Sequence, residues 1–211
     1  MEKTPAGIAP DTEEKYNRFA PCYDCFVGPL EWVFYRRWRK KYFSALKGKI
    51  LDIGVGTGSN IRYYHAQAEV VGIDRSEGML NLARQKLARS GKKNITLAKM
   101  DAEHLAFGAN TFDYVITSSV FCSMDCPQEG LAQIRRVLKK GAKALMIEHV
   151  LSRRRPAAFL QSAVNPLACR FFADHLDREL GSAITSAGLE LVTEKNLALG
   201  DVFRLFVARK T

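Results

Sequence analysis

The sequence predicts an α/β protein of the doubly wound, Rossmann-like type. The chain has 211 residues, of which 47% are hydrophobic and 26% charged, so it is long and apolar enough to fold around one core. From residue 49 onward, short strand-like runs alternate with stretches of helical periodicity, a pattern typical of a mostly parallel sheet. A glycine-rich turn follows the first of these runs, as in folds that bind ligands at the carboxyl edge of the sheet.

Seven strands are predicted, at residues 49–53, 68–74, 94–98, 112–117, 142–148, 190–196 and 203–209. The last two are joined only by residues 199–201, which predicts that the last strand is antiparallel, because parallel neighbours need a longer crossover. Ser76 is a predicted N-cap, and Pro127 opens a predicted helix that Gly141 closes. Pro29 fits a further helix start in the amino-terminal segment.

The turn after the first strand has the sequence Leu51-Asp52-Ile53-Gly54-Val55-Gly56-Thr57-Gly58-Ser59-Asn60 and is predicted to open a helix. Glycines there allow a tight turn and a close approach to a ligand, and the free N–H groups at a helix start favour an anion. Asp74 ends the second strand, 20 residues after Gly54, where an acid can accept both hydroxyls of an adenosine ribose.

The glycine spacing disfavours a nicotinamide cofactor. The dinucleotide pattern would place glycine at position 59, where this chain has Ser59. Asp52, two residues before Gly54, would repel a pyrophosphate but suits a positively charged ligand. S-adenosylmethionine combines a sulfonium, an ammonium, a carboxylate and an adenosine, and it matches each feature. We therefore predict that S-adenosylmethionine is the cofactor.

With these residues in place, the sequence resembles the class I S-adenosylmethionine-dependent methyltransferases over about residues 16–209. By this resemblance Met79 would lie on the adenine side, and Asp101 would take the adenine amino group. The full set of cofactor-binding candidates is Asp52, Gly54, Gly56, Gly58, Asn60, Asp74, Arg75, Met79, Asp101, Ala102 and Ser118.

Residues 16–24 resemble the Tyr-Asp-x-x-Ala-x-x-Tyr-Asp entry segment of quinone-methylating and small-molecule methyltransferases, with Asn17 in place of the first acid. The resemblance implies that residues 1–47 form a lid and a basic aromatic helix over an S-adenosylmethionine-binding domain at 48–211. Tyr16 and Tyr23 would then stand near the methyl group as catalytic candidates. The alternative is that both tyrosines anchor the lid by packing.

Two histidines are candidates for a base or an acceptor-positioning group. His149 follows the fifth strand, at the edge where ligands of open α/β sheets bind. His175 lies in a segment expected to wall the acceptor pocket. The alternative for each is an ordinary hydrogen-bonding role. The segments around both histidines resemble a membrane-associated subgroup that includes phospholipid N-methyltransferases and thiol-methylating proteins.

The charge balance favours anionic surroundings, because 32 Lys and Arg against 22 Asp and Glu give a formal net charge of +10. Residues 30–43 interleave rings with cations and are predicted to contact an anionic membrane surface, unless the rings pack on the sheet. The residues concerned are Trp32, Phe34, Tyr35, Trp38, Tyr42 and Phe43 with Arg36, Arg37, Arg39, Lys40 and Lys41. A second patch of this kind is Arg153-Arg154-Arg155 followed by residues 156–160.

Other features exclude or disfavour several classes. No catalytic motif of the nucleic-acid methyltransferases is present, so no nucleic-acid partner is expected. Cys22-x-x-Cys25 and Cys122-x-x-x-Cys126 could form a zinc set, but the spacing of the second pair is loose and such spacings arise by chance, so no metal is expected. No apolar run reaches the roughly 18 residues of a membrane span, and no secretory signal is recognised, which predicts a cytoplasmic protein, peripheral at most to a membrane.

The leading expectation is therefore a methyltransferase that N-methylates a lipid amine, that of phosphatidylethanolamine, at a membrane surface. The alternatives keep the chemistry and change the acceptor to a thiol or to a quinone precursor, methylated on carbon. A protein that binds the cofactor without turnover is the alternative from a different class.

Overall fold

The computed structural model describes residues 12–172 and 175–211, and it describes the backbone alone at 26, 27, 29–32 and 170–172. Residues 1–11 of the predicted lid, the side chain of Trp32, and residue Asp174 beside His175 therefore lie outside the described part of the chain.

A seven-stranded sheet forms the centre of the fold, with strand order β3-β2-β1-β4-β5-β7-β6. The strands are β1 (Gly48–Ile53), β2 (Ala68–Asp74), β3 (Ile95–Lys99), β4 (Phe112–Ser118), β5 (Leu138–His149), β6 (Glu190–Ala198) and β7 (Phe203–Arg209). Strands β1 to β5 pair in parallel, whereas β7 is antiparallel to both β5 and β6. The predicted Rossmann-like fold with an antiparallel last strand is confirmed. The strand order reverses between β1 and β4, which is where ligands of such sheets bind.

Helices cover both faces of the sheet. They are α1 (Thr12–Leu30), α2 (Arg36–Tyr42), α3 (Glu77–Ser90), α4 (Pro127–Val137), α5 (Arg155–Phe172) and α6 (Gly181–Ser186), and a π turn, Glu31–Tyr35, joins α1 to α2. Alternate residues of the strands enter two apolar clusters, so that Leu51 and Met146 belong to one cluster and Ile50 and Ile147 to the other. The Ser76 hydroxyl caps α3, as predicted, by accepting a hydrogen bond from the Met79 N–H at 3.1 Å.

The aromatic stretch of residues 33–43 packs onto the sheet instead of presenting its rings to solvent. Tyr35 and Phe43 are buried in the second cluster, and Phe34 and Trp38 are partly buried against it. The ring of Phe203 lies 5.8 Å from those of Tyr35 and Trp38. The alternative in which the rings pack on the sheet is thus the one observed for these side chains. Burial of large rings against an apolar sheet face is the stronger driving force in this segment.

The prediction of a helix after the glycine turn is wrong. Only one 3-10 turn, Ile61–Tyr63, occupies this position. Three glycines with positive φ, at 54, 56 and 58, keep the backbone in tight turns, and β2 begins already at Ala68. Residues 59–67, between Gly58 and β2, form this turn and irregular backbone instead of an α-helix.

Two predicted helix ends are also corrected. Pro29 lies near the end of α1, immediately before the π turn, and does not start a helix. Helix α4 ends at Val137 because Leu138 is already extended, with φ −63° and ψ 140°. Gly141, with φ 76°, lies inside β5, in the stretch where the register with β4 shifts.

Candidate functional site

A cleft opens at the carboxyl edge of the sheet, beyond the ends of β1, β2 and β4, and α1 lies across it. Its empty space, including the open mouth, is about 750 Å³. Most of the predicted site residues line it, namely Tyr16, Tyr23, Gly54, Gly56, Asp74, Arg75, Met79, Asp101, Ala102 and Ser118. The topology therefore brings the lid tyrosines and the cofactor candidates to one place.

The glycine turn forms one side of the cleft and needs glycine for two different reasons. Gly54 and Gly56 have φ of +66° and +55°, which side chains rarely adopt. A Cβ at residue 54 would also lie 2.5 Å from Cγ2 of Val120, in the loop after β4. At residue 56 a Cβ would have its nearest neighbour, the Gly54 oxygen, at 3.9 Å, so only the positive φ requires glycine there. The turn thus touches the β4 loop at residue 54 and leaves open space at residue 56.

Asp74 stands at the end of β2 and is fixed by backbone donors. Its Oδ2 accepts the Gly56 N–H at 2.8 Å, and its Oδ1 accepts the Ser76 N–H at 2.9 Å. Burial raises the pKa of Asp74 above its ordinary value, and the hydrogen bonds from Ser76 and Gly56 oppose that rise. The two carboxylate oxygens can together accept about four hydrogen bonds, so Asp74 keeps capacity to accept from a ribose hydroxyl.

The adenine side predicted by resemblance lies next to Asp74. Met79 is 1% exposed, and its side chain forms part of the cleft lining. Asp101 accepts the Glu103 N–H at 2.9 Å, and Arg75 forms an ion pair with Asp125 at 2.6 Å. Arg75 is thereby tethered at the cleft, beside Asp101, with their charged atoms 4.0 Å apart.

The opposite wall is the loop after β4, and a buried carboxylate holds it. Glu148 in β5 accepts the Thr117 hydroxyl at 2.6 Å, the Val120 N–H at 2.8 Å and the Phe121 N–H at 3.2 Å. Burial raises the pKa of Glu148 to about 7, against these hydrogen bonds. The neighbouring Ser119 has φ +54° and its hydroxyl is hydrogen-bonded to that of Tyr35. The loop is therefore fixed from both faces of the sheet.

Helix α1 is fastened to both walls of the cleft. The Tyr16 hydroxyl is hydrogen-bonded to that of Ser123 at 2.6 Å. On the cofactor side, Asn17 Oδ1 accepts the Gly78 N–H at 2.8 Å, at the start of α3. Further along α1, the Asp24 carboxylate accepts hydrogen bonds at 2.7 Å from Thr57 in the glycine turn and from Lys86 in α3. These contacts hold Tyr16 and Tyr23 in the cleft wall.

Three cofactor candidates lie behind the cleft and do not line it. Asp52 is fully buried, and its Oδ2 accepts the Asn60 amide N–H at 2.8 Å and the Tyr64 hydroxyl. Burial raises the pKa of Asp52 to about 6, although hydrogen bonds from Tyr64 and Asn60 lower it. Gly58 approaches α3, where its Cβ would lie 3.1 Å from the Ala83 Cα. In this structure these residues brace the turn, and direct contact of Asp52 or Asn60 with the cofactor stays a prediction.

The two candidate histidines are also outside the cleft wall. The ring of His149 stands 6.2 Å from that of Phe203, on the face of the sheet where the aromatic stretch packs. His175 Nδ1 lies 3.3 Å from Cys169 Sγ, and the His175 N–H donates to the Cys122 carbonyl at 2.9 Å. His175 thus links the end of α5 to the loop after β4. A chemical role for either histidine stays a prediction.

Several lining residues were not singled out as site residues by sequence reasoning. They are Thr12, Ile53, Ile73, Met100, Glu103, Ser119, Val120, Ser123 and Met124. Residues 119–124 could have been found from the sequence, because they follow the carboxyl end of a central strand, where ligands of such sheets bind. Thr12 had no such signal, because only the docking of α1 brings it to the cleft.

The residues present fit S-adenosylmethionine. The Ser118 hydroxyl lines the cleft, and its buried oxygen has no hydrogen-bond partner among the described residues, so it is free to bind a polar ligand. Asp74 offers acceptors for a ribose, and Gly56 leaves room beside the backbone. Among the described residues, no group of three or more His, Cys, Asp or Glu side chains is arranged to hold a metal ion.

Known proteins agree with this assignment. Residues 51–146 match the family model described as a methyltransferase domain. The chain is 29% identical over 192 residues to a phosphatidylethanolamine N-methyltransferase of Cereibacter sphaeroides, covering 89% of this chain and 92% of that protein. It is 31% identical over 144 residues to a demethylmenaquinone methyltransferase of Bacteroides fragilis, covering 64% of this chain but only 59% of that protein.

A solved structure supports the fold. It is phosphoethanolamine N-methyltransferase 2 of Haemonchus contortus in complex with S-adenosyl-L-methionine, which superposes with a TM-score of 0.73 at 18% identity, covering 98% of this chain and 61% of that one. The fold is thus that of Rossmann-like methyltransferases. Residues 51–146 carry a methyltransferase domain, and the residues of the cleft fit S-adenosylmethionine as its cofactor.

Proposed function

We propose that this methyltransferase N-methylates the amine of a phosphatidylethanolamine headgroup. The observation that carries the proposal is the charge of the cleft wall. Asp74, Asp101 and Glu103 place three carboxylates in it, and Arg75 is the one Lys or Arg in the described lining, although the chain as a whole has a formal net charge of +10. An acidic cleft in a basic protein suits cationic ligands, and the ethanolamine headgroup arrives as an ammonium.

S-adenosylmethionine supplies a methyl group that its own sulfonium activates, so alignment of the acceptor provides much of the remaining catalysis. Asp74, Met79 and Asp101 would hold the nucleoside, beside the backbone of Gly54 and Gly56. Residues 12–42 would act as the lid that covers the cofactor.

The acceptor would lie between the two lid tyrosines and the β4 loop. The ammonium would lose its proton to water at the open mouth of the cleft before the amine attacks, and the remaining N–H groups must be directed away from the methyl group. The hydroxyl oxygens of Tyr16 and Tyr23 can accept hydrogen bonds from these N–H groups. Tyr16 is suited to this because Ser123 fixes its hydroxyl at 2.6 Å.

Similarity to the phosphatidylethanolamine N-methyltransferase over nearly the whole of that protein supports the proposal. Similarity to a demethylmenaquinone methyltransferase favours a second candidate, C-methylation of a quinone precursor. The two acceptors differ in charge, because the quinone precursor carries no ammonium. Of the three lining carboxylates, Glu103 is the one not assigned to the nucleoside, and its charge favours the amine.

The test is transfer of radiolabel from S-adenosylmethionine into anionic vesicles prepared with and without phosphatidylethanolamine, with a quinone precursor and a small alkyl thiol in parallel. We expect label in the lipid only when the amine headgroup is present, and none with Asp74→Ala. Label in the quinone precursor or the thiol alone would overturn the amine proposal and assign the acceptor to that class.

A further inference from the structure

Helix α5 has the reverse polarity of an ordinary surface helix. Its inward side carries polar residues at intervals of four, of which Gln161 donates to the carbonyls of Val150 at 3.0 Å and Leu176 at 3.1 Å. One turn later, Asn165 Oδ1 accepts the Leu176 N–H at 2.8 Å. Cys169 continues the same side. An amphipathic helix of a globular protein normally places apolar residues on this side.

The outward side of α5 is apolar. Phe159 is 78% exposed, Leu160 64%, Leu167 58% and Val164 42%. They are four of the seven large hydrophobic side chains that are exposed in the described part of the chain. Singly exposed apolar residues are ordinary, but a contiguous row of them on one helix marks a surface that meets something other than water.

This apolar row adjoins the acceptor side of the cleft. The Cys169 carbonyl near the end of α5 accepts a hydrogen bond from Lys15 of α1 at 3.0 Å. The segment that follows α5 is joined to the β4 loop through the His175 N–H and the Cys122 carbonyl. Tyr16 and Ser123, the neighbours of these two anchors in sequence, line the cleft. A surface that covers α5 would therefore lie beside the acceptor wall.

Charge indicates what this surface is. Arg154 and Arg155 are exposed where α5 begins, next to Phe159 and Leu160. Cations beside an apolar row are complementary to a bilayer with anionic headgroups. A second copy of the chain would bring another net charge of +10 to the same place, which disfavours self-association.

We propose that the outward face of α5 docks on an anionic bilayer, with Phe159, Leu160 and Leu167 at the acyl boundary and Arg154 and Arg155 among the headgroup phosphates. This inference depends on the proposed function in one respect, that the methyl acceptor is a lipid. The face of α5 takes the place of residues 30–43 as the membrane contact, because the described rings of residues 30–43 are packed on the sheet. The helix would lie in the interface, since none of the helices described is long and apolar enough to cross a membrane.

The experiment is flotation of the full chain with vesicles of phosphatidylcholine containing phosphatidylglycerol, without phosphatidylethanolamine. Leu160→Glu/Leu167→Glu is the test variant. Val33→Glu is the matched control, because Val33 is 50% exposed and belongs to the rival segment 30–43. Binding of S-adenosylmethionine and the melting temperature report whether each variant is folded. Leu160→Trp gives a second readout, because indole emission shifts to the blue when the ring enters a bilayer.

We expect wild type and Val33→Glu to float alike, the double variant to partition at least 10-fold more weakly, and the emission of Leu160→Trp to shift only with anionic vesicles. The docking proposal would be overturned if the wild type did not bind vesicles, or if the double variant bound them as well as the wild type. It would also be overturned if sedimentation showed that the main effect of the double substitution is to dissociate a dimer.

The two proposals fail separately. Short-chain phosphatidylethanolamine, presented as monomers, tests the chemistry without a bilayer, and wild type and the double variant should methylate it equally. Flotation without methylation of this amine would leave the α5 surface standing and overturn the acceptor. Methylation without flotation would do the opposite.

Discussion

The Asn17 side-chain oxygen accepts the backbone N–H of Gly78 at 2.8 Å, and this contact joins the lid helix to the start of α3. The same oxygen accepts the Ser76 hydroxyl at 2.7 Å. The two hydrogen bonds place a side chain of α1 where a helix N-terminus offers unpaired N–H groups. The position holds Asp in the entry segment that this sequence resembles, and an acid would make the same contacts.

Asn17→Ala should loosen α1, because it leaves the Gly78 N–H and the Ser76 hydroxyl without this acceptor. We expect a loss of about 1–2 kcal/mol in the docking of α1. Asn17→Asp is the matched control and should retain docking, since a carboxylate is favoured at a helix N-terminus. Limited proteolysis within residues 12–30 measures the effect. Equal protection of both variants would show that the contact does not fasten the lid.

Asp74→Ala should weaken S-adenosylmethionine binding by roughly 100-fold or more, because two hydrogen bonds to a charged acceptor contribute about 1.5–3 kcal/mol each. Titration calorimetry measures this directly. Asp113→Ala is the control, because Asp113 also accepts a backbone N–H, from Lys49 at 2.8 Å, but lies at the amino end of β4. A change of less than about threefold in Asp74→Ala would remove the ribose assignment.

Gly54→Ala should destabilise the protein and impair cofactor binding more than Gly91→Ala. The two glycines have nearly the same φ, +66° and +67°, so the backbone strain of about 1–2 kcal/mol is common to both. Only residue 54 adds a 2.5 Å approach to Val120, whereas a Cβ at residue 91 meets nothing within 4 Å. Thermal unfolding compares the pair. Equal losses would mean that the contact with Val120 is relieved without cost.

Glu148 should make stability fall as pH rises. Its pKa is raised to about 7 in the folded chain from an ordinary value of 4.5, so the folded state holds a proton that the unfolded chain has released. The contribution of Glu148 to the free energy of unfolding is fully present below pH 4.5. It falls by roughly 3 kcal/mol in all as the pH rises to about 7. Denaturant unfolding at several pH values should show this slope in wild type and a flatter profile in Glu148→Gln. An unchanged slope in the variant would assign the proton to another group.

Tyr16→Phe should slow methyl transfer about fivefold while S-adenosylmethionine affinity stays within about twofold, because the hydroxyl is lost and the ring remains. Ser123→Ala should behave similarly, and the double variant should be no worse than either single one if the two hydroxyls act together. Steady-state rates with saturating cofactor measure this. Additive losses would show that Ser123 does not work through Tyr16.

The sequence was most informative where one local feature has one structural meaning. Alternation of strands and helices predicted the parallel core, the short 199–201 link predicted the antiparallel last strand, and Ser76 predicted a cap. Asp74 and the glycines at 54 and 56 line the cleft because they lie at or just beyond the carboxyl ends of β2 and β1, and their contact with the cofactor stays a prediction.

What the sequence could not supply depends on contacts between distant segments. The helix expected after Gly58 is absent, and residues 59–67 form only one 3-10 turn before β2 begins. The rings of residues 33–43 resemble a membrane-facing pattern, and only the complementary apolar face formed by residues such as Phe203 shows where they pack. Asn17 looked like a departure from a motif, and its role depends on α3, about sixty residues away.

The contact between Gly54 and Val120 also limits how acceptor preference can change. Any larger side chain at 54 meets Val120, and Glu148 holds the Val120 backbone in place. A substitution at 120 would therefore disturb the cofactor turn as well as the acceptor wall. Divergence of substrate choice within this scaffold, natural or engineered, has more freedom on α1 and at Ser123 and Met124, where residues face the cleft without pressing on the glycine turn.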